Sequence, residues 1–304
     1  MNRILIGDAM ACLQTLPDQS VHCCVTSPPY YGLRDYGVSG QIGLEETVDE
    51  YIQRLVTVFS EVYRVLRDDG TLWLNLGDSY STGKKVGLKP KNLMGIPWKL
   101  AFALQKAGWY LRQDIIWYKP NCMPESAKDR CTRAHEYLFL FSKSAHYYFD
   151  HQAIREPAVG FDASSPRGSQ GAFPPNAERR KGNNRSFRGG GVYTNNRSFQ
   201  NSANTHKETV GNIPNQTGLR NKRDVWFVST YGYKEAHLAT FPPKLIEPCI
   251  LAGSPKGGTV LDPFLGSGTT AEVAERLERN YIGIEINPDY VPLIHKRLGV
   301  NMAR

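Results

Sequence analysis

Between Val260 and Tyr290 the chain reads VLDPFLGSGTTAEVAERLERNYIGIEINPDY. An apolar run ends at Asp262, a turn carries Gly266 and Gly268, a helical pattern starts near Thr269, and a second apolar run ends at Glu285. Two parallel strands need a crossover, which is usually a helix, so the segment constrains the fold to an α/β sheet. Glycines let the backbone approach a ligand closely, and an acidic residue at the second strand end can accept from ribose hydroxyls. No Lys-Ser/Thr pair follows the glycines, which excludes a P-loop, and Ala271 stands at the third glycine of the dinucleotide spacing. The pattern favours a nucleoside-bearing cofactor over a dinucleotide, held at the carboxyl ends of parallel strands.

The rest of the chain agrees with such a sheet on both sides of an interruption. From Met1 to about Asp150 strand-like and helix-like patterns alternate. HCCVTS is a short apolar run. VDEYIQRLVTVFSEVYRVL places Tyr51, Ile52, Leu55, Val58, Phe59, Val62, Tyr63 and Leu66 at helical spacing, with Gly70 of RDDG as the expected C-cap. TLWLNLG, LRQDIIWYK and EYLFLFSK read as strands, and IPWKLAFALQKAG as a helix. After residue 223 the alternation resumes, with PPKLIEPCILAG as a helix and PDYVPLIHKRL as the last one.

Between these halves the composition changes. From Ser164 to Arg223 there are eleven Lys/Arg against two Asp/Glu, a local excess of nine in a chain whose net charge is +8. The remainder is therefore near neutral, and the cationic character belongs to one segment suited to an anionic partner. This segment is rich in Gly, Asn and Ser, lacks a sustained period, and carries NNRSF twice, at Asn183–Phe187 and Asn195–Phe199. It reads either as a linker or as a functional long loop. The expected organisation is 1–154, an insertion at 155–223, and 224–304 completing the first domain.

The second unusual stretch is CCVTSPPYYGLRDYG, Cys23 to Gly37. Pro28 and Pro29 stop the strand and carry no N–H, and Ser27 before them is held extended. The product is a stiff corner with open carbonyl acceptors beside Tyr30, while Tyr31 reads as core.

DPFLGSGTT resembles the S-adenosyl-L-methionine (AdoMet) motif of amino-group DNA methyltransferases, and TSPPY resembles their catalytic motif. Their order, with a basic segment between, is that of the family's β group. GDAMACLQTLPDQSV, IIWYKPNCMPES, RAHEYLFLFSKS and HLATFPPKLIEPCI are similar to other segments of the family, so the likeness covers nearly the whole chain. It implies a Rossmann-like α/β sheet, mostly parallel with one antiparallel strand, and an inserted target-recognition segment. It also implies that Asp262, Phe264, Gly266, Ser267, Gly268 and Thr269 surround AdoMet and that Glu285 holds its ribose. Phe241 and Pro242 would cover it and Asp8 would lie near the adenine. Asp8 reads equally as a helix N-cap, and Phe241 as core.

On this resemblance Ser27, Pro28, Pro29 and Tyr30 form the catalytic corner. An exocyclic amine is a poor nucleophile because its lone pair is conjugated into the ring. Ser27 Oγ and the Pro28 carbonyl can accept its two N–H bonds, a preorganised electrostatic arrangement, while Tyr30 stacks on a base that has left the duplex. Ser in the first position leans toward cytosine N4, with adenine N6 as the alternative. An RNA or protein-glutamine methyltransferase, and an inactive DNA-binding homologue, are the further readings. The implied partners are double-stranded DNA, contacted by Arg179, Arg180, Lys181, Arg185, Arg188 and Arg197, and further a cognate restriction endonuclease and a second copy of the chain.

Six cysteines form no C-x-x-C pair, which speaks against a disulfide framework or zinc site. The expectation is an enzyme without a metal. The N-terminal stretch, interrupted by Asp8, lacks the apolar core of a signal peptide, and no run reaches membrane-spanning length, so a cytoplasmic location is expected.

Overall fold

The structure is a computed structural model that describes residues 2–35, 37–83, 88–157, 219–230 and 241–299. They belong to two compact units, 1–154 with 222–304, and 155–221. In the second unit the described residues pair β6 (Glu156–Pro157) with β7 (Leu219–Arg220), and Arg220 Nε bonds Glu156 at 3.0 Å.

The first unit is built on one sheet. Its strands are β1 (Arg3–Ile6), β2 (Val21–Thr26), β3 (Leu66–Leu76), β4 (Tyr110–Tyr118), β5 (His135–Ser142), β8 (Val225–Phe227), β9 (Thr259–Asp262) and β10 (Asn280–Glu285). They lie in the order β1-β10-β9-β2-β3-β5-β4-β8. Every neighbouring pair is parallel except those made by β5, which runs antiparallel to both β3 and β4. The mostly parallel Rossmann-like sheet with one reversed strand is therefore observed.

Helices cover both faces, as a parallel sheet requires. On one side lie α1 (Ala9–Gln14), α2 (Val48–Val65) and α3 (Ile96–Lys106), whose Leu13, Leu55, Phe59 and Leu100 pack on Leu72, Leu74, Phe139 and Phe141. On the other lie α4 (Pro243–Gly253), α5 (Thr269–Arg276) and α6 (Val291–Arg297), whose Ile246, Val273 and Ile294 share a core with Val25, Trp73, Leu138 and Leu140. The strand period of two sends successive residues of β3 and β5 to opposite cores, which is why both read as continuous apolar runs.

α2 is specified at its start by a reciprocal capping box. Thr47 Oγ1 accepts from the Glu50 N–H, and Glu50 accepts from the Thr47 N–H, both at 3.2 Å. Its other end corrects the expectation from sequence. The helix stops at Val65, Leu66 is already extended, and RDDG lies inside β3 rather than forming a glycine C-cap. Strand pairing with Val21 draws Leu66 into the sheet, an effect that local propensity cannot register. Among the described residues no helix is long and apolar enough to cross a membrane.

β2 and β9 meet at the centre of the sheet although they are far apart in the chain, with Cys23 facing Val260 and Cys24 facing Leu261. A buried carboxylate joins their ends. Asp262 accepts from Thr26 Oγ1 at 2.6 Å, from Thr270 Oγ1 at 2.6 Å and from the Phe264 N–H at 3.0 Å. Burial pushes its pKa up to about 6, even though these hydrogen bonds pull the other way. The folded state thus binds a proton that the unfolded chain releases near pH 4, and stability falls as pH rises from about 4 to about 6. Asp262→Asn, which cannot titrate, should remove roughly 2 kcal/mol of pH-dependent loss between these two values. Denaturant unfolding of both proteins at about pH 4 and about pH 6 measures the difference.

Candidate active site

All parallel strands of the sheet end at one edge, and the reversal of β5 brings its first residues, His135 and Glu136, to that same edge. Here opens a cavity of about 360 Å³, inside the range of small-ligand sites. It lies outside the carboxyl ends of the strands, where open α/β sheets bind ligands.

One end is formed by the loops after β1, β9 and β10. Gly7, Asp8, Phe264, Gly266, Thr269 and Glu285 line it, with Phe241 and Tyr290 closing the side. The turn after β9 requires its glycines, because Gly266 and Gly268 have φ of +56° and +89°. Asp8 serves in two ways: its Oδ1 accepts from the Ala11 N–H at 3.0 Å as the N-cap of α1, and it also faces the cavity. Phe241 likewise packs on the core and lines the cavity.

Glu285 is 6% exposed, and its two oxygens accept from the Gly266 and Asn287 N–H groups, each at 2.8 Å. Burial pushes its pKa up to about 7 against these two bonds. A carboxylate oxygen has two lone pairs, so each oxygen retains one for a donor arriving from the cavity.

Four residues placed around the cofactor by sequence stand behind this wall. Asp262 is fully engaged in joining β2 to the glycine turn. Ser267 is wholly buried and receives Arg297 Nη1 of α6 at 2.9 Å; the same nitrogen donates to Thr269 Oγ1, and Arg297 Nε approaches Glu272 at 3.3 Å. Gly268 is the N-cap of α5, and Pro242 that of α4. They shape the turn and leave its surface to their neighbours.

The other end of the cavity is the proline corner. Ser27, Pro28, Pro29 and Tyr30 all line it. Their acceptors are not equivalent. The Pro29 carbonyl is taken by Tyr51 Oη at 2.7 Å, whereas no described residue bonds the Pro28 carbonyl. Tyr31 is 4% exposed and packs against Tyr51 at 5.3 Å between centroids, so it is core as expected.

Tyr30 is held at its far end. Its hydroxyl donates to Glu136 Oε2 at 2.8 Å and lies 3.3 Å from Asn75 Oδ1 and 3.5 Å from Ser27 Oγ. Asn75 Nδ2 donates to Glu136 Oε2 and to the Tyr137 carbonyl, at 3.2 and 3.0 Å. Glu136 Oε1 is paired with Lys119, whose ammonium also sits 4.3 Å from the centre of the Trp117 ring. Burial first, and then the charge of Glu136, holds the Tyr30 hydroxyl well above its usual range. A side chain at Gly77 would come within 2.8 Å of the Tyr30 ring, which explains that glycine after β3.

Asn75, Trp117, Lys119 and Glu136 were not singled out by sequence reasoning. Their signal was their position at strand ends, in LNLGD, IIWYK and AHEYL, which becomes visible only once the strand order is known. Arg179, Arg180, Lys181, Arg185, Arg188 and Arg197 lie outside the described residues.

This arrangement can hold a nucleoside at one end of the cavity and present hydrogen-bond acceptors to an amine at the other. Comparison with known proteins agrees. A family model described as DNA methylase matches residues 21–296. The type II methyltransferase M.XycI of Xanthomonas campestris pv. cyanopsidis is 46% identical over 96% of this chain and 86% of its own length. M.SmaI of Serratia marcescens is 42% identical over 97% and 90%. Among solved structures, the PvuII DNA methyltransferase (cytosine-N4-specific) shares the fold with a TM-score of 0.62, at 22% identity over all of this chain and 88% of that one. A DNA modification methylase of Thermus thermophilus, complexed with S-adenosyl-L-methionine, gives 0.60 at 24% identity over 98% and 93%. The chain therefore belongs to the N6/N4 DNA methylase family.

Proposed function

We propose that the protein is a site-specific DNA methyltransferase that moves a methyl group from AdoMet to the N4 amine of a cytosine turned out of the duplex. The observation that carries this reading is the single cavity with Glu285 and the glycine turn at one end and Ser27, Pro28 and Tyr30 at the other. Bound AdoMet supplies an electrophilic methyl on a cationic sulfur. The chain supplies position and polarity. Glu285 accepts from the ribose hydroxyls through its remaining lone pairs, Gly266 lets the backbone come close, and Phe241 and Phe264 offer apolar surface. Ser27 Oγ and the Pro28 carbonyl accept from the amine and direct its lone pair toward the methyl, so orientation carries much of the rate. Tyr30, anchored through its hydroxyl, presents a ring whose orientation is set before the base arrives.

Cytosine N4 is favoured over adenine N6 because a neutral Ser27, rather than a carboxylate, stands first in the corner. The insertion at 155–223 is assigned to recognition of double-stranded DNA, with Arg179, Arg180, Lys181, Arg185, Arg188 and Arg197 on phosphates and base edges. A cognate restriction endonuclease and a second copy of the chain are the other partners that this reading admits.

Labelled AdoMet incubated with double-stranded DNA should transfer label, and digestion to nucleosides should show N4-methylcytosine. N6-methyladenine would replace the cytosine assignment, and no transfer to any DNA would remove the reading. AdoMet affinity should rise with pH through about 7, because the ionised Glu285 is the better acceptor; Glu285→Gln should bind more weakly and lose this rise, as read by calorimetry between about pH 6 and 8. Replacing Arg179, Arg180 and Lys181 by Ala should lower the slope of log K against log salt by up to about 2.7, at roughly 0.9 per phosphate contact. An unchanged slope removes these residues from the DNA contact.

A further inference from the structure

The reaction leaves a proton to be disposed of, and the hydrogen bonds around Tyr30 run in one direction. Glu136 Oε2 and Asn75 Oδ1 can only accept, so the single Tyr30 hydrogen points to one of them, and Glu136 is nearer, at 2.8 against 3.3 Å. The Tyr30 oxygen is then left to accept from Ser27 Oγ. That donation leaves the lone pairs of Ser27 Oγ to accept, and Ser27 lines the cavity. A donor arriving there starts a chain in which each hydroxyl accepts from one side and gives to the other.

The geometry points to Ser27, Tyr30 and Glu136 as a proton outlet that ends on the Glu136 carboxylate. This assignment rests on the proposed amine methylation. The amine nitrogen uses its lone pair to form the N–CH3 bond while the S–CH3 bond breaks, and the S–C electron pair stays on sulfur, which becomes a neutral thioether. The nitrogen is left with a positive charge and two of its original hydrogens. It gives one proton to Ser27 Oγ as the Ser27 proton passes to Tyr30 and the Tyr30 proton to Glu136. The products are the neutral methylated amine and a protonated Glu136, which returns its proton to water.

Each part of the surroundings suits this task. Lys119 and Asn75 fix Glu136 from two sides, so that Oε2 stays aimed at the Tyr30 hydroxyl. The Glu136 and Lys119 side chains are 14% and 18% exposed and both line the cavity, which gives the carboxylate access to solvent. A protonated aromatic amine is a strong acid, so a carboxylate beside an ammonium is base enough. The link from Ser27 to Tyr30, at 3.5 Å, is the longest, and catalytic hydrogen bonds that are long in the free protein tighten when substrate binds.

Glu136 acts through Tyr30 and Ser27, and so is a positioning and proton-accepting residue rather than one touching the reacting atoms. A purely structural role makes a different prediction from the outlet. Glu136→Gln keeps the length and an acceptor but cannot take a proton, whereas Glu136→Asp shortens the chain and keeps the base. Single-turnover methylation should be measured with labelled AdoMet and a double-stranded DNA that the wild-type protein modifies, with AdoMet and DNA affinities measured in parallel. The outlet requires Glu136→Gln to fall about 100-fold in the methyl-transfer rate, with affinities within about threefold of wild type and Glu136→Asp the faster of the two variants. A Gln variant as fast as the Asp variant, or a loss confined to affinity, overturns it. Tyr30→Phe keeps the ring and deletes the middle link, and carries the same test if Glu136→Gln does not fold; wild-type turnover in that variant also overturns the outlet. Wild-type protein that modifies no DNA amine would instead be a failure of the proposed function.

Discussion

The structure depends on the attachment of two strand ends that the chain separates by most of its length. Asp262 closes β9, Thr26 closes β2, and a 2.6 Å hydrogen bond holds them side by side. The next residue on one side is Ser27, and on the other the turn that leads to Gly266. Because the same carboxylate also holds Thr270 and the Phe264 N–H, the glycine turn and the proline corner share one anchor. A buried carboxylate is costly, and burial raises the pKa of Asp262 against the pull of its hydrogen bonds. It is retained at the point where the two halves of the cavity must keep register, which an apolar contact could not enforce with the same directionality.

The reversal of β5 is the second constraint. A sheet of parallel strands presents only carboxyl ends to its ligand. Turning one strand around adds a residue from a strand start, and Glu136 enters the cavity by that route. Lys119 follows the neighbouring β4 and meets it there, while Asn75 reaches across from β3. Glu136 and Asn75 thus converge on the Tyr30 hydroxyl, with Lys119 holding Glu136 from behind, and a ring that would otherwise swing about χ1 is held at its far end. The same principle applies at the other end of the cavity, where Arg297 ties Ser267 and Thr269 from behind.

Much of the fold was legible because its signals are local. The strand, glycine turn and helix at Val260–Arg276, the helical spacing from Tyr51 to Val62, and the apolar runs of β3 and β5 each follow from residues close in sequence. The misplaced boundary at Leu66 shows where this stops: a helical spacing and a glycine suggested continuation, and pairing with Val21 decided otherwise. At the site, residues in short unusual strings could be read, such as Ser27 to Tyr30, Gly266 and Glu285. Those whose importance depends on a distant partner could not, and so Ser267 was taken for a cavity residue when Arg297 had already claimed it.

By itself, the sequence determined the α/β class, the two motifs and the segregation of positive charge into one segment, since composition, periodicity and strings of neighbouring residues carry these. Only the tertiary structure decided that Asp262 is an anchor rather than a cavity residue and that the Pro29 carbonyl is occupied while no described residue bonds that of Pro28. It also decided that Glu136 and Asn75 meet the Tyr30 hydroxyl and that Lys119 pairs with Glu136. The physical reason is the same in each case. A hydrogen bond's partner is fixed by which strand ends lie next to each other, and strand order is a property of the folded sheet, not of any stretch of chain.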